Sequence, residues 1–101
     1  RNGWQATGRT EAVTPLEPLV EKWRAFGWEA EAIDGHDAAA LRAALSRPPA
    51  TAGRPRALVA RTVKGKGISF MEDDNNWHYR VPTAADVAQV RAELEAAGTS
   101  A

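Results

Sequence analysis

The sequence predicts an α/β fold, a parallel sheet with flanking helices, and three observations carry that prediction. Two strand-like runs, residues 28–33 and 57–63, are separated by a segment with Ala38, Leu41, Ala44 and Leu45 at helical spacing. A second helical stripe precedes the first run and a third follows the second. The run Ala57-Leu58-Val59-Ala60 is almost continuously apolar, which suits a central parallel strand covered on both faces.

Residues 2–10 are polar with two glycines and read as a loop. A first helix is expected near Thr14: Thr14 and Glu17 have capping-box spacing, and Pro15 suits the first helical position. Pro18 could move that start forward. Leu16, Leu19, Val20, Trp23 and Phe26 then share one face, and Gly27 is a natural stop. Trp28 to Ile33 alternates in polarity and reads as a short strand with one face partly wet. Asp34-Gly35-His36 is a turn, after which Asp37 can cap a helix that ends before Pro48-Pro49. Residues 48–56 form an exposed loop of Pro, Ala, Gly and Arg, and the strand Ala57 to Val63 follows. Lys64 to Pro82 lacks apolar periodicity, and connections of that length are either functional or disordered. Thr83, with Asp86 at capping-box spacing, opens a last helix with the stripe Val87, Val90, Leu94 and a stop at Gly98. The two strands are expected to be sheet neighbours.

Length and composition narrow the function. At 101 residues the chain is at most one small domain. Its formal net charge is zero, so no overall field draws nucleic acid or an anionic membrane. It has no cysteine, which excludes disulfides, thiolate metal sites and a cysteine nucleophile and fits a cytoplasmic setting. No apolar run approaches the roughly 20 residues of a membrane span. No signal-peptide pattern is visible.

Chemistry concentrates in three places. The run Val63-Lys64-Gly65-Lys66-Gly67 leaves a predicted strand directly. Glycines there let backbone N–H groups approach an anion and lysine adds charge, although an ordinary solvent-facing loop has the same composition. It lacks the nucleotide P-loop pattern. Asn2-Gly3 is a turn dipeptide whose amide oxygen, with a carbonyl two residues on, could also face a hard cation. His78 follows Trp77 in the long connection and could close over the same ligand. His36 lies between a strand end and a helix cap and reads as structural. Asp73-Asp74-Asn75-Asn76 lacks the spacing of a calcium loop and reads as a solvated turn. Trp23, Phe26 and Trp28 read as core, and Lys64 with Lys66 make too small a patch for nucleic acid.

In order and spacing, the segments Asn2-Gly3-Trp4-Gln5-Ala6-Thr7-Gly8, Asp34-Gly35-His36-Asp37, Thr62-Val63-Lys64-Gly65-Lys66-Gly67, Phe70-Met71-Glu72 and Trp77-His78 resemble the diphosphate-binding, amino-terminal section of split bacterial transketolases. The resemblance runs through nearly the whole chain. It implies a partial thiamine diphosphate-binding fold, with residues 1–101 as the C-terminal part of that domain. The family's Gly-Asp-Gly metal motif and a third, aspartate ligand would lie outside this chain. The implied cofactors are thiamine diphosphate and magnesium, and the implied reaction moves a two-carbon ketol unit between sugars. By position, Asn2 matches the metal-binding asparagine, and Trp4 the residue whose main-chain oxygen binds the same ion. Lys64 would lie near the diphosphate, and His78 matches a catalytic histidine beside diphosphate and substrate. Tyr79 stands where glycine is usual. The partner implied is a pyrimidine-binding subunit, the C-terminal section of the split enzyme; substrates would be sugars or sugar phosphates. A deoxyxylulose-phosphate synthase, a dehydrogenase E1 component and a non-catalytic module of the same fold are the alternatives. Asn2 and the loop from Gly65 to His78 are expected to converge at the carboxyl ends of the strands.

Overall fold

Parallel pairing of two six-residue strands organises the chain. The structure, a computed structural model, describes residues 1–98; the last three residues of the proposed 1–101 span lie outside it. Strands β3 (Glu29–Asp34) and β4 (Arg56–Arg61) run parallel, from Glu29 opposite Arg56 to Asp34 opposite Arg61. Helix α3 (Ala38–Ser46) is the crossover between them, as parallel pairing requires. The neighbouring strands and the parallel sheet are thus as the sequence predicts. Helix α2 (Leu19–Ala25) lies against the same pair. Its Trp23 meets Trp28 edge to face, with centroids 4.8 Å apart.

Local chemistry explains most element ends. Asp37 caps α3 by accepting from the Ala40 N–H at 2.9 Å. At the other end of α3, Arg56 reaches back from β4 and donates to the carbonyls of Ala44 and Arg47, which the helix leaves unpaired. The Glu29 carboxylate accepts from the Ala50 and Thr51 N–H groups and shapes the turn before β4. Gly27, at φ +86°, terminates α2 in the left-handed region.

Three expectations change. Residues 2–10 are not an open loop: β1 (Trp4–Gln5) and β2 (Gly8–Arg9) form an antiparallel hairpin that runs into a one-turn helix, α1 (Thr10–Val13). Thr14 does not open a helix. Its N–H returns to the Thr10 carbonyl at 2.8 Å and closes α1, and α2 starts only at Leu19, behind Pro18. A proline has no N–H and restricts the residue before it, so helix cannot run through Glu17-Pro18. Lastly, β4 is not covered on both faces. Of its residues Val59 alone is buried, and the buried apolar residues among the described residues are Ala30, Ala44 and Val59. Phe26 and Leu45, predicted on packed faces, are 84% and 69% exposed. The described chain is an open slab of 51 × 36 × 16 Å. Its radius of gyration is 17.2 Å, against about 13 Å for a compact domain of this length.

The free edge of β4 is met by Arg1, which donates from its backbone nitrogen to the Ala60 carbonyl at 2.6 Å and accepts from the Thr62 N–H at 3.2 Å. That exchange is the parallel-ladder pattern, and it sets the hairpin beside the carboxyl end of β4. The connection after β4 is ordered by tight turns and a 3₁₀ turn, Asn75–His78. Helix α4 (Ala84–Gly98) then opens on the predicted box: Thr83 Oγ1 accepts from the Asp86 N–H, and Asp86 Oδ2 accepts from the Thr83 N–H and hydroxyl.

Thr83→Ala should cost the intact protein about 1 kcal/mol in urea unfolding, the usual loss for an N-cap. The Thr83 N–H and then its hydroxyl hold the Asp86 carboxyl below the ordinary carboxylate range. A depressed folded-state pKa contributes stability above the unfolded value, about 3.9, and loses it as pH falls through the folded value. Backbone chemical shifts of residues 84–87 should therefore hold above pH ~4 and lose helical character below it, with Thr83→Ala blunting the transition.

Candidate functional site

The strand register delivers two loops side by side at the carboxyl ends of β3 and β4. They are laced together at once. The Gly35 N–H donates to the Arg61 carbonyl at 2.7 Å, and a Cβ at Gly35 would stand 2.5 Å from Thr62 Cγ2, so glycine is required by close approach. Beside it, His36 Nε2 accepts the Val63 N–H at 2.7 Å. The structural role expected for His36 is thereby specific: it aims the first residue of the glycine-rich loop.

That loop folds back on itself. Gly65 sits at φ +70°, where a Cβ would lie 2.4 Å from the Met71 carbonyl oxygen. The Glu72 carboxylate accepts from the Gly67 N–H at 2.9 Å and pairs with Lys66 Nζ at 3.3 Å. Those contacts, the Gly67 N–H foremost, hold Glu72 below the usual carboxylate range. The loop closes where the Asp73 N–H donates to the Lys64 carbonyl at 2.8 Å. Lys66 is therefore engaged within the loop, while Lys64 is half-buried at its neck.

Opposite stands the hairpin. The Thr10 N–H donates to the Gly3 carbonyl at 2.9 Å, so Trp4 and Arg9 face each other as a non-hydrogen-bonded pair. In that register the N–H and carbonyl of Trp4 turn away from β2. The N–H is taken by Asn2 Oδ1 at 3.0 Å, which places the Asn2 amide on the outward edge of Trp4. An exposed amide oxygen with a spare lone pair and a carbonyl released by the hairpin are hard oxygen donors of the kind magnesium takes. The residues present thus fit part of a magnesium shell. Among the described residues no group of three His, Cys, Asp or Glu side chains is placed to hold a metal by itself.

Hairpin and loop meet through Asp73 and Asn75, in the segment read from sequence as a solvated turn. Asp73, at φ +54°, accepts from Trp4 Nε1 at 2.7 Å and takes both terminal nitrogens of Arg9. The Arg9 guanidinium also stacks over the Trp4 ring, 3.8 Å from its centroid. Arg9, then the Trp4 indole, hold the Asp73 carboxyl below its ordinary range. Asn75 Nδ2 donates to the Ala6 carbonyl at 3.1 Å, at the hairpin tip. The solvated turn read at residues 73–76 is a docking element. No local signal marks it, because its partners lie 64 to 70 positions away.

His78 closes the 3₁₀ turn, is exposed and lies edge-on to the Tyr79 ring at 4.5 Å. Its neighbour Trp77 is pinned: Nε1 donates to the Phe70 carbonyl at 2.9 Å and the two rings lie 5.2 Å apart. The structure thus brings Asn2 and Trp4 together on the hairpin. It ties that hairpin to the segment that holds Lys64 at one end and His78 at the other.

A parallel strand pair whose carboxyl-end loops join a hairpin presents its loops where open α/β sheets bind ligands. The sequence comparisons make it particular. The family model described as "Transketolase, thiamine diphosphate binding domain" matches residues 1–99, and the chain belongs to that family. It is 39% identical over 97 residues to the 6-deoxy-6-sulfo-D-fructose transketolase subunit SqwG of Clostridium sp. (strain MSTE9), covering 96% of this chain and 35% of that protein. It is 35% identical over 94 residues to one subunit of the apulose-4-phosphate transketolase of Phocaeicola vulgatus, covering 93% and 34%. A human relative, transketolase-like protein 2, is 46% identical over 54 residues, 54% of this chain and 9% of that one. The chain spans about a third of the length of the first two relatives.

Two substitutions test the geometry. Gly65→Ala combines a left-handed backbone, costing roughly 1–2 kcal/mol for a residue with a Cβ, with a clash at Met71. It should destabilise the intact protein by at least that much in urea. His36→Ala removes the acceptor of the Val63 N–H, so that amide should exchange with solvent about fivefold faster, matching a hydrogen bond of about 1 kcal/mol. His36→Gln, which keeps an acceptor, should restore most of the protection.

Proposed function

We propose that residues 1–101 are the C-terminal part of a thiamine diphosphate-binding domain in a transketolase. In this reading the intact protein, paired with a pyrimidine-binding subunit, transfers a two-carbon ketol unit between sugars. One observation carries it: in a chain of this family, the hairpin with Asn2 and Trp4 is tied to the loop that runs from Lys64 to His78, at the carboxyl ends of parallel strands. The names of the relatives support a subunit pairing, since two of them are transketolase subunits.

The residues divide the work. Asn2 Oδ1 and the Trp4 carbonyl would hold magnesium, with its remaining ligands from the diphosphate, from water and from residues outside this chain. Lys64 adds positive charge near the diphosphate, and the glycines beside it let backbone N–H groups approach. Thiamine diphosphate, when bound, supplies the carbanion-stabilising centre that breaks and makes the carbon–carbon bond. His78 donates to a phosphate oxygen and moves a proton to or from a sugar hydroxyl. Its exposure leaves it open to substrate, and the Trp77 anchor fixes where it stands. Tyr79, packed edge-on against it, narrows the approach. The relatives are named for a sulfonated and a phosphorylated sugar, which supports sugars or sugar phosphates as substrates of this chain's protein. A cytoplasmic setting suits a cysteine-free chain.

The test is reconstitution of the intact protein with its partner subunit. Thiamine diphosphate binding, followed calorimetrically, should require magnesium. Asn2→Ala should weaken it by tenfold or more, since few protein oxygens serve the ion. His78→Ala should leave cofactor affinity nearly unchanged and lower kcat by roughly 10²–10⁴, the usual range for a general acid or base. Full ketol transfer by His78→Ala with altered cofactor affinity would instead make His78 a diphosphate ligand alone. The 101 residues by themselves should show no transfer.

A further inference from the structure

We propose that Asp73 is a positioning residue, a clamp that holds the Trp4 hairpin and the Lys64–His78 segment in the one arrangement competent to bind magnesium and diphosphate. The inference rests on the functional reading above and adds to it a residue outside the set matched to the family. The geometry has four parts. Asp73 Oδ1 accepts from Trp4 Nε1 and from an Arg9 terminal nitrogen, each at 2.7 Å. Asp73 Oδ2 takes the second Arg9 nitrogen, so the pair is bidentate. Arg9 covers the Trp4 ring and thereby fixes the residue whose carbonyl faces outward. Asp73's own N–H donates to the Lys64 carbonyl at 2.8 Å, so the same residue grips the neck of the glycine-rich loop.

The backbone is matched to this task. Among the described residues, Asp73, at φ +54°, is the non-glycine residue held in the left-handed region, and aspartate and asparagine visit that region most readily. The conformation turns the carboxylate back across the hairpin while the N–H stays on Lys64. Such an exposed ion pair contributes little to global stability. Its effect is on orientation, because one bidentate carboxylate with an indole donor allows few relative placements of hairpin and loop. Two residues on, Asn75 reaches the hairpin tip and guards against rotation about the clamp.

Without the clamp, hairpin and loop sample other placements and the competent fraction falls. Apparent affinity falls by the same factor, while turnover at saturation is kept. The experiment uses three variants of the intact protein, each paired with its partner subunit. Asp73→Gly keeps the backbone conformation and removes both acceptors. Asp73→Asn keeps the conformation and one acceptor oxygen for Trp4 but loses the ion pair. Asp73→Ala removes both. In the absence of cofactor, the Trp4 indole N–H should exchange faster in Asp73→Gly and Asp73→Ala and stay close to wild type in Asp73→Asn. The apparent Kd for magnesium, titrated in the presence of thiamine diphosphate, should rise roughly ten- to hundredfold in the Gly and Ala variants, the usual cost of losing a group that orients a metal ligand. It should rise less in Asp73→Asn, and kcat should recover at saturating metal and cofactor. An unchanged indole in Asp73→Gly would overturn the clamp. So would a protected wild-type indole exposed by the substitution with no change in metal affinity. A wild-type protein that binds no thiamine diphosphate would refute the functional reading, and the clamp's role at the metal with it, while the indole exchange still reports the contact itself.

Discussion

The register of β3 on β4 is the constraint from which the rest follows. Asp34 stands opposite Arg61, so the two strands end level. Level ends put Gly35 against Thr62 and His36 against Val63, and the glycine-rich loop leaves the sheet from a fixed point in a fixed direction. A slip of one residue would send every β4 side chain to the other face and uncouple that loop from the β3 turn. Arg1 adds to the other edge of β4 by the same ladder chemistry. The hairpin is therefore carried to the same end of the sheet as the loop.

Very little of this is held by apolar burial. Ala30, Ala44 and Val59 are the buried hydrophobic residues, and none is large. The slab is knitted instead by polar ties over long sequence distances: Arg56 on the end of α3, Glu29 on the turn at Ala50, Ser69 on Glu93, Asp73 on Arg9 and Trp4. Each exposed tie is individually weak, because water competes for its partners. Their value lies in direction, since each has a narrow range of productive geometry. Phe26, Val81 and Leu94 stay open to solvent.

Site chemistry and fold stability are separated in space. The residues proposed to meet metal and substrate, Asn2 ahead of β1 and His78 at the end of the 3₁₀ turn, are exposed. The residues around them make defined hydrogen bonds: Trp77 to the Phe70 carbonyl beside His78, and Asp73 to the Trp4 indole beside Asn2. Exposed functional groups held by engaged supports are what preorganisation requires.

What could be read from sequence was decided within one turn of chain. The Asp37 cap, the Thr83–Asp86 box and the stop at Gly27 each involve partners no more than four residues apart, so residue type and spacing suffice. The strands followed from apolar pattern, and their parallel pairing from the helix between them. The family resemblance marked Asn2, Trp4, Lys64 and His78 as a set, although no local rule connects them. The hairpin and α1 escaped notice because two-residue strands are too short to show a period. The Asp73 contacts escaped for a different reason. An acidic, asparagine-rich run has the composition of a solvated turn, and nothing near it in sequence reveals an arginine and a tryptophan more than sixty residues away. Composition and spacing determined the longer helices and the two six-residue strands. Only the tertiary structure decided which loops meet, because that depends on strand register and on side chains brought together from opposite ends of the chain.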